Sequence, residues 1–539
     1  MKRFAWLLSL SLLFAYPNFA DDGQEHNHHE ELNEAQLGTV HFPVSCAASV
    51  QQPFERGVAL LHSFWYEEAE KEFLEIAKDD PHCAMAHWGV AMSLWHQLWN
   101  EPDAKVIKRG LDETSTGEKL AKRAAPREKA YIAAIGAFYG NSEKSDHAAR
   151  AKAYSDAMKK VYESYPDDHE AAAFYALSLL ASEPHDDTTF ANRKQAAAIL
   201  EKLFAIEPDH PGVAHYLIHS YDKPQLAELG LPAARRYAQI APASPHALHM
   251  PSHIFARVGL WQDDINSNLA SIAATRKTAA MGMGGEGHQI HAMDFLVYAY
   301  LQSGREAEAA KIIDEVKAMP PMPDMYGMGF DPRTYALSAF PAAYDVELRH
   351  WTDAAALTPV DGAPLVDRAI TYLARAIGAA RSGNLAQAHK DLDHLETIRK
   401  QLLREKKTEL AEGVADSYRE ASAWVAHAEG KDDDAITTLR ALADENDKLG
   451  EQEGTPAREM LADLLLEAKR PEQALVEYQT DLRLNPNRFN GLYGAARAAE
   501  EAGKQSDATE YYALLLKTCE GGSSTRPELG RARDLLAKK

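Results

Sequence analysis

Apolar residues recur along nearly the whole chain at intervals of three and four, the spacing that lines one face of an α-helix. Segments such as HSFWYEEAEKEF, AMAHWGVAMSLW, VAHYLIHSYD and FLVYAYLQSGR carry this stripe, and none sustains the alternate-residue pattern of a half-buried strand. The pattern predicts an all-α chain. Similar short turns separate the segments: Gly259-Leu260-Trp261, Gly304-Arg305, Gly383-Asn384-Leu385, Gly430-Lys431 and Gly503-Lys504. Each joins one amphipathic segment to the next, so the predicted unit is a helical hairpin.

A motif repeats in the second helix of these hairpins: a small Ala, a large residue four positions on, and a Pro after the helix. Ala69, Phe73 and Pro81 fit it, as do Ala196, Leu200 and Pro208, then Ala474, Tyr478 and Pro486. Ala508 and Tyr512 follow 34 residues after Ala474 and Tyr478, and weaker copies stand at Ala388/Leu392 and Ala435/Leu439. The small residue lets two helices approach and the large one fills the gap, while the remaining apolar face is buried only by stacking on a neighbouring hairpin. This pattern resembles the tetratricopeptide repeat. The resemblance covers nearly all of residues 50–518 and implies an α-solenoid, a superhelix of hairpins whose first helices form the concave wall. The expected organisation is an export signal at 1–20, a His-rich acidic flexible segment at 21–45, N-terminal hairpins with a charged insertion at 46–125, central repeats at 126–355 and C-terminal repeats at 356–539.

Charge narrows the partners. With 58 Lys+Arg against 80 Asp+Glu, the 539-residue chain carries −22, which argues against a nucleic-acid surface built on bulk positive charge. Lys2 and Arg3, the apolar run Phe4–Ala15 and the small Ala20 read as an export signal, with Asn18 departing from the preferred small residue. That run is too short to span a bilayer comfortably, so a periplasmic or secreted protein with no stable membrane span is expected. Of three cysteines, Cys46 and Cys83 are a candidate bridge, and Cys83 reads equally as a small buried residue; the odd count leaves one thiol over. MGMGGEG contains G-x-G-x-x-G at Gly282, Gly284 and Gly287, but it follows a helical repeat rather than a strand, so no dinucleotide site is expected.

The chemistry concentrates in histidine. H-x3-H at His215/His219 and again at His249/His253 puts two imidazoles one helical turn apart on one face. In the register implied by the tetratricopeptide resemblance, His215, His219 and Asp222 lie on the concave wall in one repeat, His246, His249 and His253 in the next, and His291, Asp294 and Tyr298 in a third. Helices packed about 8–10 Å apart let imidazoles from two of them meet at one ion. Two levels are expected, His215/His249/Asp294 and His219/His253/Tyr298; the plainer reading is an unmetallated, hydrogen-bonded network of imidazoles that fixes helix packing. The expected ion is copper or zinc, with accessory ligands in the tail (His26, His28, His29) and in the methionines Met281, Met283, Met293, Met319, Met322, Met325 and Met328, since thioethers favour Cu(I). The plainer reading of those methionines is adaptable apolar packing. A second pocket is weighed at His62 and His96, 34 residues apart among Trp65, Trp88, Trp95 and Trp99, where a packed aromatic hairpin is the plainer reading.

HPGVAHYLIHSYDKP, HALHMPSHIFARVGLW and MDFLVYAYLQSGR together resemble a group of exported, functionally uncharacterised bacterial tetratricopeptide-repeat proteins. The resemblance implies export and the repeat fold and carries over no catalytic residue. Three functions follow in order: a protein binding a transition metal or small ligand in a His/Asp-lined groove; a scaffold that docks a partner peptide there without metal; and a metal-dependent hydrolase, with Asp222, Asp294 or the segment Glu183, His185, Asp186 near the metal. No H-E-x-x-H, G-x-S-x-G or P-loop supports the third, and a repeat fold argues for binding before catalysis.

Overall fold

The computed structural model describes residues 32–98, 101–140, 145–283, 286–322, 331–450 and 454–537. The expected export signal, His26, His28, His29, Trp99, Met325 and Met328 lie outside them. Among the described residues the regular structure is entirely helical, from Glu34–Leu37 to Pro527–Ala537, and successive helices pack as hairpins in an all-α solenoid. No described helix is long and apolar enough to cross a membrane.

The repeat motif works as its chemistry requires. Ala69 and Phe73 are fully buried on the Tyr66–Asp79 helix. The Phe73 ring is clasped by Gly57 and Gly89 on the helices before and after, where a Cβ would come within 2.8 Å and 2.3 Å of it. Tyr478 likewise fills the space that a Cβ on Gly494 would take, 2.2 Å away. At the turn positions Gly259 adopts φ 67°, and a side chain there would strike the Pro486 carbonyl at 2.3 Å. Phe64 occupies the corresponding left-handed position, at φ 53°, although such backbone disfavours a bulky side chain.

The superhelix curls far enough for its C-terminal hairpins to meet its middle. The Trp261 indole donates to the Asn487 carbonyl at 2.8 Å, the Phe489 amide donates to the Gln302 side chain at 2.9 Å, and Lys223 donates to the Leu449 carbonyl at 3.0 Å. Arg488, fully buried, joins Glu459 at 2.9 Å and Glu347 at 2.5 Å and also donates to the Tyr298 hydroxyl. Tyr298 therefore belongs to this joint rather than to a ligand level. Cys46 and Cys83 are bridged, tying the segment before the first long helix to the turn after Tyr66–Asp79, and Cys83 is also buried. The methionines in view are packing residues. Met283 and Met293 are buried in apolar cores, and Met281, Met319 and Met322 lie against those cores, as the packing reading of these residues expects. Their long apolar stems fill irregular space between helices.

Candidate metal centre

Three successive segments carry the histidines. His215 and His219 lie on the Pro211–Tyr221 helix, which starts with Pro211 in its first turn and is capped by the His210 side chain. His246 and His249 lie on Pro245–His249, capped by Ser244, and His253 follows on Pro251–Arg257. Pro251 interrupts the hydrogen-bonded helix between them. Met250 keeps right-handed helical geometry across the break, so His249 and His253 still share a face one turn apart. His291 comes from Glu286–Gln302.

The structure sorts these side chains differently from the expected levels. His215, His219 and His246 converge as one group, and His249, His253 and His291 as another, the ligand nitrogens of each group lying within 4.8 Å of one another. In the first, His215 Nε2 is 3.1 Å from both His246 Nε2 and His219 Nε2. In the second, His249 Nε2 is 3.0 Å from His253 Nε2. The two aspartates belong one step outward. Asp222 accepts from His253 Nδ1 at 2.8 Å and from Arg257 at 3.0 Å, so both of its oxygens are engaged by side chains. Asp294 accepts from the Tyr335 hydroxyl at 2.7 Å, because its side of the Glu286–Gln302 helix meets Arg333–Glu347. Glu183 is also engaged, by Arg193 at 2.8 Å, while His185 and Asp186 stand exposed.

Hydrogen bonding fixes which nitrogen of each ring carries the proton. His215 Nδ1 lies 2.6 Å from the His62 carbonyl, which only accepts, so Nδ1 carries the hydrogen and Nε2 presents its lone pair inward. His253 does the same through the Asp222 carboxylate. His249 Nδ1 donates at 2.7 Å to the side-chain oxygen of Asn268, whose own amide is held by donation to the Asp264 backbone carbonyl. In the neutral rings, His249 and His253 therefore face each other across 3.0 Å with two lone pairs and no hydrogen between them. Two nitrogens bound to one tetrahedral ion at about 2.0–2.1 Å would be about 3.3 Å apart. Oxygen acceptors holding Nδ1–H behind inward-facing Nε2 atoms are the usual outer shell of metal-bound imidazole.

Burial favours the neutral form of five of these rings, the form in which imidazole binds a metal. It pushes His215 down to about 3 and His288 to about 4, and it holds His219, His246 and His249 well below the ordinary range, each also repelled by neighbouring imidazoles. Asp222 stays ionised: burial opposes its charge, but Arg257 and His253 outweigh that. Phe64 caps the first group, its ring 4.4 Å from that of His215 and 5.5 Å from that of His246, while Phe295 lies 4.5 Å from His253. His291 is the exposed member, and His219 borders a cavity of about 280 Å³ shared with Gln97, Leu98 and Arg193.

The sequence reading missed His288, whose ring is 5.1 Å from that of His246, although its H-x2-H spacing to His291 carried the signal. It also missed the true partners of His62. His62 is bound by Glu170 at 2.8 Å and the Tyr216 hydroxyl at 2.9 Å, with His210 on the other Glu170 oxygen at 2.9 Å. His96 instead lies over Tyr66, ring centres 4.5 Å apart. The expected His62/His96 pocket is thus replaced by a buried carboxylate–imidazole network. Its carbonyl end holds His215.

No protein-family model matches the chain, and no curated protein matches it in sequence. Among solved structures it is similar to a human IFIT1 dimer with PPP-AAAA, at 13% identity and TM-score 0.36, over 86% of this chain and 95% of that one. It is also similar to the APC/C hetero-tetramer Cut9–Hcn1, at 12% identity and TM-score 0.29, over 90% and 89%. The assignment of the fold rests on the hairpins and motif packing of this chain itself.

Proposed function

We propose that this chain is an exported helical-repeat protein that binds a late transition metal, copper or zinc, on its inner wall. The observation that carries the reading is the pair of inward lone pairs of His249 and His253, each imposed by a hydrogen bond from Nδ1 to an oxygen acceptor. Their 3.0 Å separation is close to the spacing that one bound tetrahedral ion would give them. All-imidazole ligation suits zinc or copper and is a poor match for magnesium or calcium, which take oxygen. Export is supported by the signal-like residues 1–20, by the resemblance to exported repeat proteins and by the Cys46–Cys83 bridge, which persists in oxidising compartments.

Docking of a partner peptide is the second reading. It is less well supported, because the cavity that His219 borders measures only about 280 Å³. Such a space suits an ion with a small co-ligand.

Elemental analysis of the untagged, mature chain separates the readings. Copper or zinc that co-purifies, survives dialysis and is lost from a His215→Gln/His253→Gln variant of unchanged helicity is the expected result. A metal-free protein that takes up neither ion on addition would overturn it.

A further inference from the structure

The site has more ligands than one ion uses. Six histidines fall into two groups of three that share no member. Each group has its own outer support: the His62 carbonyl behind His215 in the first, Asn268 and Asp222 behind His249 and His253 in the second. Each also has its own aromatic cap, Phe64 and Phe295. The groups adjoin, with ring centres 6.1 Å apart for His246 and His249 and 6.3 Å for His219 and His253. Three imidazoles leave one tetrahedral position open on each ion, the arrangement of reactive rather than closed structural sites.

Two other clusters of ligand type lack this provision. In His62/Glu170/His210 every ring nitrogen is engaged: His62 by Tyr216 and Glu170, His210 by Glu170 and, at 3.3 Å, by the Val213 amide. Cys46 and Cys83, near Asp80, are bonded to each other.

Resting on the metal-binding reading, we propose that the inner wall is a dinuclear centre that holds two ions of copper or zinc side by side, one on His215/His219/His246 and one on His249/His253/His291. One position on each ion is left for a small ligand, entering past exposed His291 or through the cavity at His219.

The test is a titration of the metal-free full-length mature chain with zinc chloride and, separately, with copper(II) chloride. The wild type is expected to take up two equivalents, His219→Gln one, His253→Gln one, and the double variant none, all with unchanged far-ultraviolet circular dichroism. In the copper form, electron paramagnetic resonance is expected to show a half-field transition from two coupled spins in the wild type, and an isolated axial signal in each single variant. One equivalent in the wild type, or loss of all uptake in either folded single variant, would overturn the pair and leave a single site standing. No uptake by the wild type would overturn the pair and the metal reading together. If a variant fails to fold, wild-type stoichiometry and spin coupling decide.

Discussion

At the scale of single residues, the account rests on where protons sit. Asp222 holds His253 by Nδ1 and is itself held by Arg257, so its removal loosens a ligand without deleting one. Asp222→Asn is expected to weaken zinc binding by about 10–100-fold while helicity is unchanged, measured by competition with a chromophoric chelator. Wild-type affinity in that variant would contradict the orienting role. The H-x3-H spacings were legible in the sequence because one helical turn is a local rule. The acceptors behind the rings were not, because Asn268, Asp222 and the His62 carbonyl reach their histidines from other helices. Asp294 shows the same limit: register put it on the wall, and a tertiary contact with Tyr335 turned it elsewhere.

At the scale of elements, hairpin boundaries and the Ala/large-residue motif were readable since each depends on a few neighbouring positions. The HMPSH segment was read as one helix and is two, broken by Pro251, yet the face survives because Met250 stays in helical geometry. Phe64 could not be anticipated at all. Glycines hold the same left-handed turn position elsewhere, as do Arg349, Lys406 and Lys469, and here a buried Phe accepts it, at a cost on the order of 1–3 kcal/mol, where its ring covers three histidines. The Cys46–Cys83 bridge closes a loop with sequence separation 37 in the same hairpin. Loop-closure entropy puts its contribution at about 4 kcal/mol. A Cys46→Ser/Cys83→Ser variant is expected to unfold several degrees lower in a thermal melt, and an unchanged midpoint would mean the hairpin needs no staple.

At the scale of the whole molecule, the decisive feature is the return of the C-terminal hairpins onto the middle of the superhelix. Arg488 is its buried joint, shared by Glu347, Glu459 and Tyr298 from three separate helices. Arg488→Ala leaves two carboxylates buried without their cation and is expected to cost about 3–5 kcal/mol in denaturant unfolding. A loss below 1 kcal/mol would show that the closure does not depend on this residue. Nothing in the linear pattern pointed to that joint, because Arg488 and Glu347 are 141 positions apart and a repeat sequence encodes mainly its nearest neighbours.

The central claim is that imidazole nitrogens of the inner wall bind a late transition metal, and X-ray absorption at the metal edge of the loaded full-length protein tests it most directly. The account expects a first shell dominated by nitrogen at about 2.0–2.1 Å, with the outer-shell scattering of several imidazole rings, at the zinc edge and in the copper form alike. A first shell of sulfur, or one of oxygen without imidazole scattering, would contradict it.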